Sequence, residues 1–235
     1  MNNNHKPKEY KDLFVGLDVK VPTLNGEFRK YVNFDNSAST PTFLSVMESV
    51  NDFLNYYSSV HRGTGFKSQL STFFYEDARG KVLSFLGAND DEHTCIFVKN
   101  TTEAINKLAH RFPFSKDRNI LLTTTMEHHS NDLPWRRVAR VIRAPLTSEG
   151  YLDEETFDGQ LEKYGDKIAL VAITGASNVT GFINPIHRIA EKAHAVGAQL
   201  LVDAAQLAPH RKIDMLKIDD PRHLDYVAIS AHKMY

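Results

Sequence analysis

The chain has 235 residues, of which 42% are apolar and 24% are charged, and this composition is sufficient for one large globular domain. Its formal net charge of -1 and its pI of about 6.8 exclude the strongly basic surface typical of nucleic-acid-binding proteins, and no apolar stretch has the length of a membrane span. The lone cysteine, Cys95, excludes an internal disulfide and favours a reducing compartment, so we expect a cytoplasmic protein without a secretory signal.

Residues 1–30 are polar and contain chain breakers such as Pro22 and Gly26, so they are predicted to form an irregular N-terminal arm. The first helix is predicted in the segment that follows, behind Thr40 as N-cap and Pro41 at the first helical position. Apolar residues recur there at helical spacing, namely Phe43, Val46, Val50, Phe53, Leu54 and Tyr57.

A second helix is predicted within residues 68–88, where Gly87 provides its end. From residue 94 onward the pattern changes to short apolar runs without polar alternation, which is typical of strands buried on both faces. The predicted strands are TCIFV (94–98), NILLTT (119–124), IALVAIT (168–174), QLLVDAA (199–205) and YVAIS (226–230).

A further helix is predicted between the third and fourth of these strands, with Asn184 as its cap, Pro185 in its first turn and Gly197 as its stop. Strands that alternate with helices predict an α/β fold with a mostly parallel sheet flanked by helices. In such a sheet the ligand lies beyond the carboxyl ends of the strands, so the polar residues that follow each apolar run are the candidate site residues.

The segment NTTEAIN (100–106) follows a predicted strand and opens a helix. Asn100 and Glu103 have the spacing of a capping box, and the hydroxyls of Thr101 and Thr102 lie beside unpaired amides, an arrangement suited to a phosphate group. An ordinary helix cap accounts for the same residues, so both interpretations stay open.

Asp203 and Lys233 each lie at the end of a buried apolar run, where a charged group is costly unless it has a partner. Asp203 either caps the next turn or is the counter-ion of a protonated ring nitrogen. Lys233 either extends its amine to solvent or supplies a partly desolvated amine that reacts with an aldehyde. His128 and His129 are adjacent and lack the spacing of metal ligands, so no metal site is predicted.

One cofactor accounts for this set of groups. Pyridoxal 5'-phosphate needs an amine for its aldehyde, a carboxylate for its pyridine nitrogen, an anchor for its phosphate and a flat side chain against its ring. The candidate residues come from four strand ends of one predicted sheet, so their joint occurrence favours this cofactor over any separate explanation.

The order and spacing of these motifs resemble those of the class V aminotransferases, a family of fold-type I pyridoxal phosphate enzymes, and most closely its cysteine desulfurase and selenocysteine lyase branch. The matching stretches are YVNFDNSAST (31–40), HRGTG (61–65), TTEAIN (101–106), MEHHSNDLPW (126–135), SNVTGFINPI (177–186), LLVDAAQLAPH (200–210) and SAHKMY (230–235). In three places a small residue replaces another, since TGASN, DAAQ and SAHK stand where relatives often have THVSN, DGAQ and SGHK.

The resemblance implies a role for each matching residue. Lys233 matches the Schiff-base lysine, which also moves the alpha proton of the substrate, His128 matches the histidine that stacks on the ring, and Asp203 matches the partner of the pyridine nitrogen. These three form the implied catalytic set. The remaining implied contacts go to the phosphate, from Thr101, Thr102, Ser230 and His232, and to the phenolic oxygen of the ring, from Asn178 and Gln206.

The resemblance also implies an enzyme that acts on an amino acid, with cysteine desulfuration expected first. Transamination and selenocysteine lyase, kynureninase-like or epimerase-like reactions are the alternatives. Relatives continue beyond the lysine into a part that carries an arginine for the substrate carboxylate and, in desulfurases, the cysteine that takes the sulfur. Cys95 is instead expected to be a buried structural thiol.

We therefore expect residues 31–235 to be a pyridoxal-phosphate-binding large domain that is incomplete at its C-terminus, without the small C-terminal domain. A truncated fragment without catalytic activity is the competing hypothesis. Relatives build their active sites between two subunits, so a homodimer is expected. His61, Arg62 and Thr64 are candidate interface or ligand residues, although a flexible glycine turn explains them equally well. No nucleic-acid or membrane partner is expected, and any sulfur acceptor is unknown.

Overall fold

The computed structural model describes residues 9–234, so the first eight residues of the predicted arm and Tyr235 lie outside the described residues. The chain divides into two compact units, and each is described by itself. One unit consists of the described residues of Met1–Ala78 and Ala231–Tyr235, and the other is Arg79–Ser230. Within residues 9–234, no helix combines the length and apolar character that a membrane span requires.

The first unit contains a small antiparallel hairpin within the predicted arm. Strands β1 (Lys20–Pro22) and β2 (Phe28–Lys30) pair with each other, and Gly26 adopts a φ of 85° in the turn between them. This conformation is accessible to glycine at little cost. The expectation of an irregular arm was therefore wrong for residues 20–30, because a glycine turn between two short runs is also sufficient for a hairpin.

Helix α1 (Leu44–Leu54) begins later than predicted. Its N-cap is Phe43, which makes no side-chain capping bond, so the prediction of Thr40 as N-cap was wrong. The hydroxyl of Thr40 instead donates to the carbonyl oxygen of Lys233 at 2.9 Å, and its amide donates to the carbonyl oxygen of His232 at 3.1 Å. Thr40 therefore ties the last described residues to the segment before α1.

Helix α2 (Phe66–Phe85) spans the boundary between the units, and it ends as predicted at a glycine. Gly87 has a φ of 63°, and a Cβ added there would lie 2.7 Å from Oδ1 of Asp214. Both the left-handed conformation and the close approach of Asp214 require a residue without a side chain at this position.

The second unit is built on a five-stranded parallel sheet flanked by helices, which confirms the predicted α/β fold. The strands are β3 (Ile120–Thr124), β4 (Arg140–Ala144), β5 (Ile168–Thr174), β6 (Gln199–Asp203) and β7 (Tyr226–Ala228), and their order across the sheet is β4-β3-β5-β6-β7. The helices are α3 (Thr101–Arg111), α4 (Glu154–Tyr164) and α5 (Ile186–Ala195).

The core of this unit follows from the apolar runs. All seven residues of β5 are buried, Trp135 is fully buried in a cluster with sheet residues such as Leu121, and Phe157 of α4 is also fully buried. Helix α5 buries the side chains at the spacing expected of an amphipathic helix, namely Ile186, Ile189, Ala190 and Ala193. The candidate site residues lie at the carboxyl edge of this packed sheet.

Three elements of this unit differ from the predictions. Residues 94–98 form no strand: Ile96 and Phe97 are exposed, Cys95 is only half-buried, and its carbonyl oxygen accepts a bond from Nε of Arg79. An apolar run is therefore not sufficient for a strand. Here the backbone carbonyl of Cys95 bonds to a side chain and not to a neighbouring strand. The strand β4 and the helix α4 were not predicted.

The cap assignment at α5 also differs. The structure begins α5 at Ile186 with Pro185 as N-cap, and Asn184 is not the cap. The buried side chain of Asn184 donates from Nδ2 to the carbonyl oxygen of Thr174 at 2.8 Å. Asn184 thus fastens the start of α5 to the carboxyl end of β5.

Candidate functional site

The carboxyl edge of the sheet in Arg79–Ser230 brings together side chains from four strand ends and one helix start. The strand order reverses between β3 and β5, because β4 lies on one side of β3 while β5, β6 and β7 follow on the other. In parallel α/β sheets the crevice at such a reversal is the usual ligand-binding position. The turns that follow β3, β5, β6 and β7 therefore define the candidate site.

The N-terminus of α3 is capped as the sequence predicts. Oδ1 of Asn100 accepts a bond from the amide of Glu103 at 2.8 Å. The carboxylate of Glu103 accepts from the amide of Lys99 at 2.7 Å, and this bond lowers the pKa of Glu103. A helix of eleven residues with this cap presents its positive dipole end at the edge of the sheet.

The two threonines that open α3 differ in environment. Thr101 is buried, and its hydroxyl donates to the carbonyl oxygen of Ile229 at 2.8 Å, directly after β7. Thr102 is exposed in the same first turn. Thr101 thus fixes the helix start to the sheet, while Thr102 is available to an anion at the helix N-terminus.

Asp203 is the last residue of β6, and only 3% of its surface is exposed. Its Oδ1 accepts a bond from the amide of Ala205 at 3.1 Å, so the capping interaction that the sequence allowed is present. Gln206 follows in the same turn and is partly buried, and Ser230 is buried in the segment after β7. Asp203 at the end of β6 and the start of α3, bonded to the segment after β7, give this edge both a buried carboxyl group and a helix N-terminus.

The turn after β3 carries His128. Its imidazole is exposed and caps the short 3₁₀ helix His129–Asn131, because Nδ1 accepts a bond from the amide of Ser130 at 3.2 Å. The hydroxyl of Ser130 lies 2.7 Å from the same nitrogen. Nδ1 is therefore an acceptor, and a neutral His128 carries its proton on Nε2.

Glu127 is a site residue that the sequence reasoning missed. Its carboxyl group contacts the hydroxyl of Thr124 at the end of β3 and Nδ2 of Asn131, each at 2.7 Å. Burial of the carboxyl group is the main cause that raises the pKa of Glu127 to about 8, and the carboxylate of Asp203 adds to this effect. The available signal was the one used for Asp203, namely a charged residue just after a buried strand.

Asn178 lies in the tight turn that follows β5. The turn closes through the hydroxyl of Ser177, which accepts bonds from the amides of Val179 and Thr180, both at 3.2 Å. Asn178 is exposed at the tip of this turn. It therefore follows the strand end as predicted, but its side chain is not packed against the sheet.

The two remaining predicted residues belong to the other unit. His232 is exposed and Lys233 is half-buried in the 3₁₀ helix Ala231–Lys233, and both backbone carbonyls accept bonds from Thr40. Along the chain, Lys233 follows Ser230 by three residues. In the same unit, His61 has a φ of 58° and its Nε2 lies 2.9 Å from a carboxylate oxygen of Glu76.

The groups at the sheet edge of Arg79–Ser230 fit pyridoxal phosphate by their chemistry. The start of α3 offers amides and a hydroxyl suited to a phosphate, and Asp203 offers a buried anion suited to a protonated pyridine nitrogen. His128 offers an exposed flat ring in the neighbouring turn. His128 follows β3 and Asp203 ends β6, whereas the start of α3 follows no strand and is joined to the segment after β7 by the bond from Thr101 to Ile229.

Comparisons with known proteins identify relatives of this chain. The chain is similar to the probable cysteine desulfurase of Halalkalibacterium halodurans, with 38% identity over 234 residues that cover 96% of this chain and 54% of that protein. It is 37% identical to the cysteine desulfurase of Dickeya dadantii, covering 91% of this chain and 51% of that protein. The chain therefore spans about half the length of the curated relatives that it matches.

A solved structure of a cysteine desulfurase is also similar to this chain. The apo structure of a cysteine desulfurase from Thermococcus onnurineus NA1 matches with a TM-score of 0.73 and 34% identity, over 86% of this chain and 50% of that chain. The fold is accordingly that of the fold-type I large domain. The sequence pattern of the family "Aminotransferase class-V" matches residues 32–235. This match covers most of the chain, which therefore belongs to the class V aminotransferase family.

Proposed function

We propose that this protein binds pyridoxal 5'-phosphate and acts on an amino acid, with a cysteine desulfurase-like reaction as the first choice. The observation that carries the proposal is the buried carboxylate of Asp203 on the same sheet edge as the capped N-terminus of α3. A buried anion and an anion-binding helix start suit the two ends of one zwitterionic cofactor. When bound, this cofactor supplies an electron sink for negative charge at the substrate's alpha carbon.

In this proposal each residue has one task. The hydroxyl of Thr102 and the amides of α3 bind the phosphate, together with Ser230 and His232. Asp203 holds the proton on the pyridine nitrogen, because a carboxylate in a buried position favours a positive charge beside it. His128 lies against the ring and excludes water from that face. Asn178 and Gln206 donate to the phenolic oxygen.

Lys233 is proposed as the Schiff-base lysine. Its Nζ would hold the cofactor by condensing with the cofactor's aldehyde, with loss of water, and the free amine would accept and return the alpha proton of the substrate. The side chain of Lys233 is half-buried.

The substrate and the assembly are proposals of the same kind. The relatives named above are cysteine desulfurases, which supports cysteine as the first substrate to test, ahead of transamination, selenocysteine lyase, kynureninase-like and epimerase-like reactions. A homodimer and a cytoplasmic location remain predictions. Since the chain spans about half the length of those relatives, cofactor binding without turnover is the second candidate function.

Borohydride trapping tests the cofactor proposal. The purified protein is mixed with pyridoxal phosphate and reduced, and the modified peptides are identified by mass spectrometry. We expect a single adduct at Lys233 and none at that position in Lys233→Ala. The matched control is Lys212→Ala, since Lys212 is exposed and should leave the Lys233 adduct unchanged. Scattered labelling of many lysines, equal in the wild type and in Lys233→Ala, would contradict the proposal.

A turnover assay separates the two candidate functions. The trapped-adduct pattern reports on binding alone. Release of alanine from cysteine reports on desulfuration, with dithiothreitol added as the reductant that converts the removed sulfur to sulfide. A specific adduct with turnover that disappears in Lys233→Ala supports the enzyme. A specific adduct without turnover on any amino acid supports cofactor binding alone.

A further inference from the structure

The carboxyl group of Glu127 contacts two buried side chains, and no assigned role uses these contacts. It lies at the reversal of strand order, where it accepts a bond from the hydroxyl of Thr124 at the end of β3. The second contact, to Asn131, reaches the last residue of the 3₁₀ helix that follows His128. One carboxyl group thus joins the end of a strand to the turn that carries the ring-stacking candidate.

The orientation of Asn131 is fixed independently. Trp135 is fully buried, and its indole nitrogen donates to Oδ1 of Asn131 at 3.2 Å. Because an indole N–H can only donate, Oδ1 must face Trp135 and Nδ2 must face Glu127. Asn131, with no exposed surface, therefore has a single acceptable orientation, and Glu127 supplies the acceptor that this orientation needs.

The same short helix determines the position of His128. The imidazole caps this helix by accepting the amide of Ser130, so the ring follows any movement of the helix. Asn131 holds the other end of the same three residues. The connection from Glu127 to the imidazole therefore runs through one turn of backbone, with hydrogen bonds at both of its ends.

We propose that Glu127 is a positioning residue that holds the His128 imidazole at the carboxyl edge of the sheet by fixing Asn131. The positioning itself does not depend on a cofactor, whereas its use in stacking rests on the function proposed above. Burial favours the neutral form of this carboxyl group, and one proton suffices for the 2.7 Å contact between the oxygens of Glu127 and Thr124. Glutamine can replace a neutral carboxyl group here, since its oxygen can accept from Asn131 and its amide can donate to Thr124.

The test uses the histidine imidazole resonances of the cofactor-free protein, with the His128 signal assigned from its loss in His128→Gln. We expect Glu127→Ala and Asn131→Ala each to move the His128 signal, and the double variant to move it no further than either one, because both remove the same connection. Glu127→Gln should leave the signal in place. Asp153→Ala is the matched control, since Asp153 caps α4 through Thr156 and lies outside this network.

A pyridoxal phosphate titration gives the second readout. We expect Glu127→Ala and Asn131→Ala to weaken cofactor binding about tenfold, and Glu127→Gln to restore it to nearly the wild-type value. If Glu127→Ala does not fold, Thr124→Val replaces it, because it removes one contact to Glu127 while keeping the side-chain shape.

The possible results distinguish a failure of the positioning role of Glu127 from a failure of the proposed function. An unmoved His128 signal in Asn131→Ala, or a shift of all histidine signals equal to that in Asp153→Ala, would overturn the positioning role. The expected pattern of His128 shifts in a wild-type protein that binds no pyridoxal phosphate would support the positioning role and contradict the proposed function.

Discussion

We expect the carboxyl group of Glu127 to make the stability of the protein depend on pH. Burial and the nearby Asp203 raise the pKa of this carboxyl group from 4.5 to about 8 in the folded state. Between these two values the folded protein holds a proton that the unfolded chain has released. The stabilising contribution of the neutral group is thus complete below about pH 4.5 and is lost as the pH rises through about 8.

Glu127→Gln should remove this dependence. We expect the free energy of unfolding of the wild type to fall by about 3 to 4 kcal/mol, relative to that of Glu127→Gln, between pH 5 and pH 8. Urea unfolding of both proteins at the two pH values measures the difference. Glu162→Gln, at an exposed position, is the control and should keep the wild-type pH profile. Parallel profiles for the wild type and Glu127→Gln would show that the Glu127 carboxyl group is ionised throughout.

At the scale of single residues, the sequence located the charged groups better than their partners. Asp203 was predicted because a carboxylate ends a buried run, and the structure buries it there. Glu127 was missed although it follows β3 in the same way, because two histidines and a serine beside it suggest an exposed turn. Thr40 was assigned to a helix cap, while its hydroxyl bonds a carbonyl 193 residues away along the chain. Such partners depend on tertiary structure, which local spacing does not encode.

Among the elements, strands β6 and β7 are held together at their starts by Asp225. Its carboxylate accepts bonds from the amide of Leu200 at 2.8 Å, from the side chain of Gln199 at 3.2 Å and from Nε2 of His194 at 2.9 Å. His223 also lies near this carboxylate, but the rings of His194 and His223 stack at 4.2 Å with only 19° between their planes. Nearly parallel rings cannot both direct an in-plane nitrogen at one ion, so this cluster is interpreted as a structural tie.

Removal of the Asp225 carboxylate should destabilise this part of the sheet. We expect Asp225→Ala to lower the free energy of unfolding by about 2 to 4 kcal/mol, because the amide of the fully buried Leu200 loses its acceptor. Urea unfolding followed by fluorescence measures the loss. Asp219→Ala, at an exposed position nearby in sequence, should change the stability by less than about 0.5 kcal/mol. Equal stabilities of the two variants would contradict the structural role.

The sequence predicted well those elements in which the apolar residues of the pattern are also the residues that the structure buries. Each of the four confirmed strands contains a continuous apolar run, and α5 buries its whole predicted face. Strand β4 (Arg140–Ala144) was missed because it lies at the edge of the sheet, carries two arginines and is mostly half-buried, so it lacks a continuous apolar run. Residues 94–98 show the opposite case, since their apolar run has no strand partner within the described residues.

At the scale of the whole molecule, the two units differ in how much apolar surface they bury. Within Arg79–Ser230 the core includes large, fully buried side chains such as Trp135, Phe157 and Leu170. Among the described residues of the other unit, only Ser68 and Ser71 are fully buried, and helix α1 has no buried residue. Since apolar burial is the main source of folding free energy, the unit with α1 is expected to be much less stable.

Unfolding should therefore occur in two steps. The single tryptophan, Trp135, lies in the sheet unit, so its fluorescence reports on that unit, whereas far-UV circular dichroism reports on both. In a urea titration we expect the dichroism signal to begin to fall at lower urea than the fluorescence, because helix α1 and its neighbours unfold before the sheet. Val50→Ala, on the exposed face of α1, should leave the fluorescence midpoint unchanged, while Leu170→Ala should lower it. Coincident transitions by both probes in the wild type would mean that the two units unfold cooperatively, and that the stability of the α1 unit comes from interactions other than the burial of its own apolar side chains.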